Sequence, residues 1–90
     1  MGHEVFMPKT GLYVDEVRLE EWLVADGSHV EADQVIMLIV TDKVDSEIPA
    51  DATGWLQQEA APGRDYPIGT RLGVIHPTEE EYRQAAGNAG

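Results

Sequence analysis

Apolar residues along this chain come in short, β-branched runs, and Gly, Pro, Asp or Asn interrupts them about every ten residues. That spacing predicts an all-β barrel or sandwich. The predicted strands cover 5–8, 14–24, 35–41, 44–49, 54–59 and 71–76, with turns at Gly27-Ser28 and at Pro62-Gly63-Arg64-Asp65. One helix is predicted, over 78–86. There Thr78 is a capping residue, and Glu79, Glu80 and Glu81 fall in the first turn, where the helix dipole favours negative charge. This segment shows no apolar face and runs into Gly87-Asn88-Ala89-Gly90. The domain is therefore expected over 1–76, with 77–90 a flexible tail or the start of a linker.

The runs also repeat. Trp22-Leu23 is followed by Gly27, Val30, Asp33, Ile36, Leu38 and Ile39, and Trp55-Leu56 by Gly63, Tyr66, Gly69, Leu72, Val74 and Ile75. From the glycines onward the offset is a constant 36, and the second copy carries three extra residues between its Trp and its Gly. Two equivalent β units predict a pseudo-two-fold sandwich in which each half buries the apolar face of the other. Trp22 and Trp55 are then expected to be symmetry-related packing residues. The midpoint of the duplication falls near residues 42–44.

At that midpoint only Asp42 and Lys43 separate two β-prone runs, which predicts a tight hairpin with Lys43 at its tip. In that register Thr41 faces Val44, Ile39 faces Ser46 and Met37 faces Ile48. Met37, Ile39, Val44, Ser46 and Ile48 then share the core face, while Leu38, Val40, Asp45 and Glu47 share the outer one. Lys43 becomes an isolated ammonium among Asp42, Asp45 and Glu47, in a chain whose other lysine is Lys9.

Composition narrows the chemistry. Ninety residues allow one modest core and no deep catalytic cleft, since a chain this short buries only about 60–65% of its unfolded surface. Seventeen acidic against six basic residues gives a formal charge of −11, which excludes a phosphate-backbone (nucleic-acid) binder and docking on an anionic membrane, and favours a partner with a basic surface. Without cysteine there is no disulfide, no thiolate metal site and no thiol redox chemistry of the chain's own. His3, His29 and His76 lack metal-ligand spacing, so no metal site is expected. Asp42, Asp45 and Glu47 on a convex tip have no desolvated pocket to raise a carboxyl pKa, so they read as recognition residues and not as acid or base catalysts. The longest apolar run, Val35–Val40, is far too short to span a bilayer, and no secretory leader opens the chain. A cytoplasmic or organelle-matrix setting is expected.

The residues Val40-Thr41-Asp42-Lys43-Val44, followed by Glu47-Ile48-Pro49-Ala50, closely resemble the lipoyl-lysine segment of lipoyl domains from 2-oxo acid dehydrogenase complexes. The resemblance extends to Met7-Pro8-Lys9-Thr10-Gly11-Leu12, Glu16, Glu21-Trp22-Leu23, Gly27, Val30, Gly54, and Ile68-Gly69 through Leu72 to Val74-Ile75, covering residues 4–76. It implies a flattened barrel of two antiparallel sheets (a barrel-sandwich hybrid) and a carrier domain that is not an enzyme on its own. It also implies lipoate in amide linkage on Lys43, attached by a lipoate–protein ligase or lipoyl transferase. The arm would serve a thiamine-diphosphate 2-oxo acid decarboxylase, an acyltransferase core and a dihydrolipoyl dehydrogenase. Thr41, Asp42, Val44, Asp45, Glu47, Leu38 and Val40 are the expected recognition residues around the tip.

Some positions depart from the family pattern. Asp33 stands where the family usually has a turn Gly, and Asp tolerates the left-handed conformation such a turn needs. Val17 replaces another common Gly. Leu38 and Val40 occupy outward positions where the family often carries acids, and are either a half-covered apolar pair or an apolar shoulder that a partner enzyme recognises. A biotin carboxyl carrier shares the fold but resembles a Met-Lys-Met tip, unlike Asp42-Lys43-Val44. The glycine-cleavage carrier is longer, with a different lysine context. An unmodified barrel-type binding or assembly module would not depend on Lys43.

Overall fold

The computed structural model describes residues 2–9, 15–41 and 45–88, the last without its side chain. In chain order they form β1 (His3–Phe6), β2 (Glu16–Trp22), β3 (His29–Val30), β4 (Val35–Val40), β5 (Asp45–Pro49), β6 (Gly54–Gln58), β7 (Arg64–Pro67), β8 (Arg71–His76) and α1 (Glu79–Asn88). Sheet A has the order β1-β8-β6-β3 and sheet B the order β5-β4-β2-β7, with every neighbouring pair antiparallel. Advancing each strand of sheet A by four places in the chain, counting cyclically, generates sheet B. The predicted pseudo-two-fold sandwich is therefore present, flattened to 39 × 27 × 19 Å.

The offset of 36 governs the backbone. Left-handed residues recur at Gly27 (φ 86°) and Gly63 (φ 81°), and at Asp33 (φ 74°) and Gly69 (φ 89°). The Gln34 N–H donates to the Glu31 carbonyl at 3.0 Å, and the Thr70 N–H to the Pro67 carbonyl at 3.1 Å. Ala50 N–H to Gln34 O and Met7 N–H to Thr70 O, both 2.8 Å, join each half to the strand that precedes it in the barrel. Pairing irregularities fall between Val35 and Met37 and opposite the Val5–Phe6 step, so Ile36 and Leu72 are the matching bulge residues, both wholly buried.

The duplication corrects one expectation. Trp22 pairs with Met37, and Gln58 pairs with Gly73, so the structural counterpart of Trp22 is Gln58 and not Trp55. Trp22 lies against the core with its indole N–H donating to the Ala60 carbonyl at 3.0 Å. Trp55 faces outward beside His29, with ring centroids 4.8 Å apart. The tryptophans are aligned in sequence by chance, and the three-residue insertion vanishes when the glycines and bulges are used as anchors.

Alternation explains the core. In β2, Val17 and Leu19 point inward and are wholly buried, while Arg18 and Glu20 point to water. Val17 sits in regular pairing with Tyr66, so the position needs no glycine; the irregularity comes later, between Leu19 and Glu21. Two strands were not anticipated. β3 is two residues long, and β7 (Arg-Asp-Tyr-Pro) starts inside the predicted turn at 62–65. Both lie at sheet edges, where charge and proline are tolerated because one side of the ladder needs no donor.

Asp33 adopts the left-handed conformation its position requires. Asp33→Val should cost about 1–2 kcal/mol because a β-branched residue fits this region poorly, whereas Asp33→Gly should be neutral or slightly stabilising. Urea midpoints test this; an unchanged midpoint for Asp33→Val would contradict the turn geometry.

The helix forms where expected and extends to Asn88. The Thr78 Oγ1 accepts from the Glu81 N–H at 3.1 Å and donates to the Glu81 carboxylate at 3.4 Å, a reciprocal cap, and Arg83 pairs with Glu79 at 3.2 Å. Contrary to expectation it has an inner stripe. Glu81, Tyr82, Ala85 and Ala86 are half-buried, and α1 packs on β6 and β8. One tyrosine and two alanines make a stripe too narrow to read from the sequence. The Tyr82 ring lies over Gly27, where a Cβ would come within 2.9 Å of the phenol oxygen, and its hydroxyl donates to Asp26 at 3.2 Å. Burial, then the Asp26 charge, raises the Tyr82 phenol above its ordinary pKa.

Candidate functional site

β4 and β5 form the hairpin at the duplication midpoint. Met37 faces Ile48, Leu38 faces Glu47, Ile39 faces Ser46 and Val40 faces Asp45. The expected Ile39–Ser46 and Met37–Ile48 pairs are present. Asp42, Lys43 and Val44 lie outside the described residues, and with them the expected Thr41–Val44 pair. Met37 and Ile39 are wholly buried, so β4 is anchored from below. Ser46 and Ile48 are half-buried on the same face. Leu38 and Val40 point outward and are half-buried, while Asp45 and Glu47 are exposed beside them. Thr41 is half-buried at the end of β4.

Two residues that sequence reasoning did not place on the outer face complete it. Arg18 of β2 is the cross-strand partner of Val40, and Glu21 is that of Leu38. Nothing local marks them, because their register depends on the irregularity between Leu19 and Glu21. The Arg18 guanidinium is tied to Glu20 at 2.8 Å, which leaves this face acidic around its apolar centre. Among the described residues no group of three or more His, Asp or Glu has metal-binding geometry, and no helix is long and apolar enough to cross a membrane.

By symmetry the other half of the barrel ends differently. β8 superposes on β4 at offset 36, but after His76 the chain turns into α1 instead of closing a hairpin. Among the described residues, β4 and β5 are the one pair of consecutive strands hydrogen-bonded to each other, while α1 packs on β6 and β8. The paired strands β4 and β5, anchored by Met37 and Ile39, fix where their connection begins and ends.

Comparison with known proteins agrees with that geometry. The family described as biotin-requiring enzymes, the biotin/lipoyl family, matches residues 3–75. The chain is 32% identical over 80 residues to the dihydrolipoyllysine-residue acetyltransferase component of the acetoin cleaving system of Pseudomonas putida, covering 88% of this chain and 22% of that protein. It is 35% identical over 81 residues to the corresponding component of the pyruvate dehydrogenase complex of Corynebacterium glutamicum, covering 89% and 12%. It is 38% identical over 71 residues to the lipoamide acyltransferase component of the branched-chain alpha-keto acid dehydrogenase complex of Pseudomonas aeruginosa, covering 78% and 17%. The chain thus spans less than a quarter of the length of each of these three relatives. With the duplicated barrel and a family match over most of its length, the chain belongs to the biotin/lipoyl attachment family and is a lipoyl-type domain, one that carries a group and does not catalyse a reaction.

Proposed function

We propose that Lys43 carries lipoate in amide linkage and that the domain serves as the swinging-arm carrier of a 2-oxo acid dehydrogenase complex. The observation that supports this most is the pairing of Val40 with Asp45, which leaves residues 41–44 as the whole connection between two anchored strands. That connection reads Thr-Asp-Lys-Val. Its flanks fit a lipoyl carrier better than a biotin carrier, and the relatives' names speak of lipoyllysine and lipoamide.

The residues present fit an attached group. Asp45 and Glu47, which follow the connection, are exposed, and Met37 and Ile39 beneath hold β4 in place. The lysine amine has to lose its proton within the ligase site, since a free ammonium with a pKa of about 10.4 is a poor nucleophile at neutral pH. It then forms an amide with the lipoate carboxyl, with net loss of water, and the chain's formal charge goes from −11 to −12. When bound, the dithiolane supplies the redox and acyl-carrying chemistry that a cysteine-free chain lacks. Thr41, Asp42, Val44, Asp45 and Glu47 mark the tip for the ligase and for the complex's enzymes, and Leu38 and Val40 give those enzymes an apolar shoulder. The partners in this reading are a lipoate–protein ligase or lipoyl transferase, a thiamine-diphosphate decarboxylase, an acyltransferase core and dihydrolipoyl dehydrogenase. Residues 1–76 form the carrier unit, and 77–90 lead into a linker whose first part, α1, is docked on sheet A. The setting is the cytoplasm or an organelle matrix.

Incubation with a lipoate–protein ligase, ATP and lipoate should add one lipoyl group to the intact mass, and a biotin ligase with biotin should add nothing. Biotin uptake in place of lipoate would reverse the assignment. Uptake of neither, with a dispersed amide NMR spectrum, would point to an unmodified module.

A further inference from the structure

The duplication sets Leu38 and Val40 of β4 against Val74 and His76 of β8, each pair at offset 36 and each facing outward. Their neighbours match as well. Leu38 lies between Glu47 and Glu21, and Val74 between Glu4 and Gln57. The two outer faces are thus equivalent in backbone and differ in what lies on them. On sheet A the chain's own helix covers the pair. Val74 and His76 are each 8% exposed, the His76 and Tyr82 rings are 6.2 Å apart, and Ala85 lines the same groove as Val74 and His76. On sheet B, Leu38 and Val40 are only partly buried, and the one helix among the described residues is on the other sheet.

We propose that the outer face of sheet B around Leu38 and Val40 docks an amphipathic helix of a partner protein, one with an aromatic–alanine stripe flanked by Lys or Arg. The shape is argued from α1, which shows within the same molecule what this backbone surface accepts. The charge is argued from the rim. Asp45 and Glu47 stand on one side and Glu21 on the other, while Arg18 is paired with Glu20. A helix like α1 itself would be repelled, because its first turn carries Glu79, Glu80 and Glu81. A basic helix gains from the same rim. The proposal deepens the recognition role given above to Leu38 and Val40. It rests on the carrier reading only for which enzyme owns the helix.

The probe is a peptide of residues 77–88 carrying Glu79→Lys, Glu80→Lys and Gln84→Lys, stapled on its outer side so that helix nucleation does not limit binding. It is titrated into the isotope-labelled, unlipoylated full chain and followed by amide NMR. Saturable shifts should appear at residues 18, 21, 38, 40, 45 and 47. They should weaken about tenfold or more in the Leu38→Glu, Val40→Glu double variant, and weaken again as salt rises. Asp45→Lys, Glu47→Lys keeps the apolar pair and should also lose affinity. Shifts confined to residues 57, 74 and 76, meaning displacement of α1, would overturn the proposal, and so would an absence of saturation at millimolar peptide. Because the titration needs no lipoate, its failure is distinct from failure of the ligase assay.

Discussion

Lys43→Arg should abolish lipoylation outright while leaving the unfolding free energy within about 0.5 kcal/mol of the parent, since the flanking strands are held by their own pairing and by buried Met37 and Ile39. The completeness of the effect follows from side-chain chemistry. Arginine keeps the positive charge and nearly the same length, so recognition through charge survives. Its guanidinium is not deprotonated in proteins and offers no free amine to acylate. The chain's second lysine, Lys9, follows β1 and stands outside the duplication midpoint, so it is not expected to substitute. Intact-mass measurement of the ligase reaction reads the result directly. Residual lipoylation of the variant would move the attachment to Lys9, and a fall in stability of several kcal/mol would mean that Lys43 holds the hairpin together. Neither fits a carrier whose barrel does its own folding.

The hairpin register was readable because it depends on period-two alternation around a short connection, and both signals are local: Leu38, Val40, Asp45 and Glu47 face outward as the pattern requires. The duplication was readable from Gly27 onward because left-handed turns demand particular residues, and Asp33 kept its place in that pattern by adopting φ 74°. It was misread upstream, where Trp22 and Trp55 looked equivalent and are not. Tryptophan is a strong visual anchor but fixes no backbone geometry, whereas glycines and bulges do. β3 and β7 escaped because edge strands need little apolar alternation, and a two-residue strand has none. The contribution of Arg18 and Glu21 to the outer face escaped for a different reason. It arises between strands, from an irregularity that shifts β2 against β4. The docking of α1 rests on Tyr82 meeting a glycine fifty-five positions earlier, a contact that no window of sequence contains.

If the two halves are mechanically equivalent, Ile36→Ala and Leu72→Ala should be equally damaging. Both residues sit at the matching bulges of β4 and β8, both are wholly buried, and both belong to one continuous core with Leu19, Leu56 and Ile75. Truncating a buried Ile or Leu to Ala costs about 2–5 kcal/mol, because the lost transfer energy is joined by the cavity left behind. Against a total stability of about 5–15 kcal/mol, either change leaves a domain near its folding threshold, with Tm lowered by about 4–8 °C per kcal/mol. Urea unfolding of the two variants should give costs within about 1 kcal/mol of each other, the accuracy with which such sites repack. Leu38→Ala, in the outward register of the same strand, should cost less than either because its side chain is only partly buried. A large cost at Ile36 with little at Leu72 would mean that sheet B folds and sheet A merely docks, so the duplication would be one of shape and not of energy. Equal costs would mean that neither sheet is stable without the other. The hairpin would then owe its rigidity to the opposite half of the barrel as much as to its own strands.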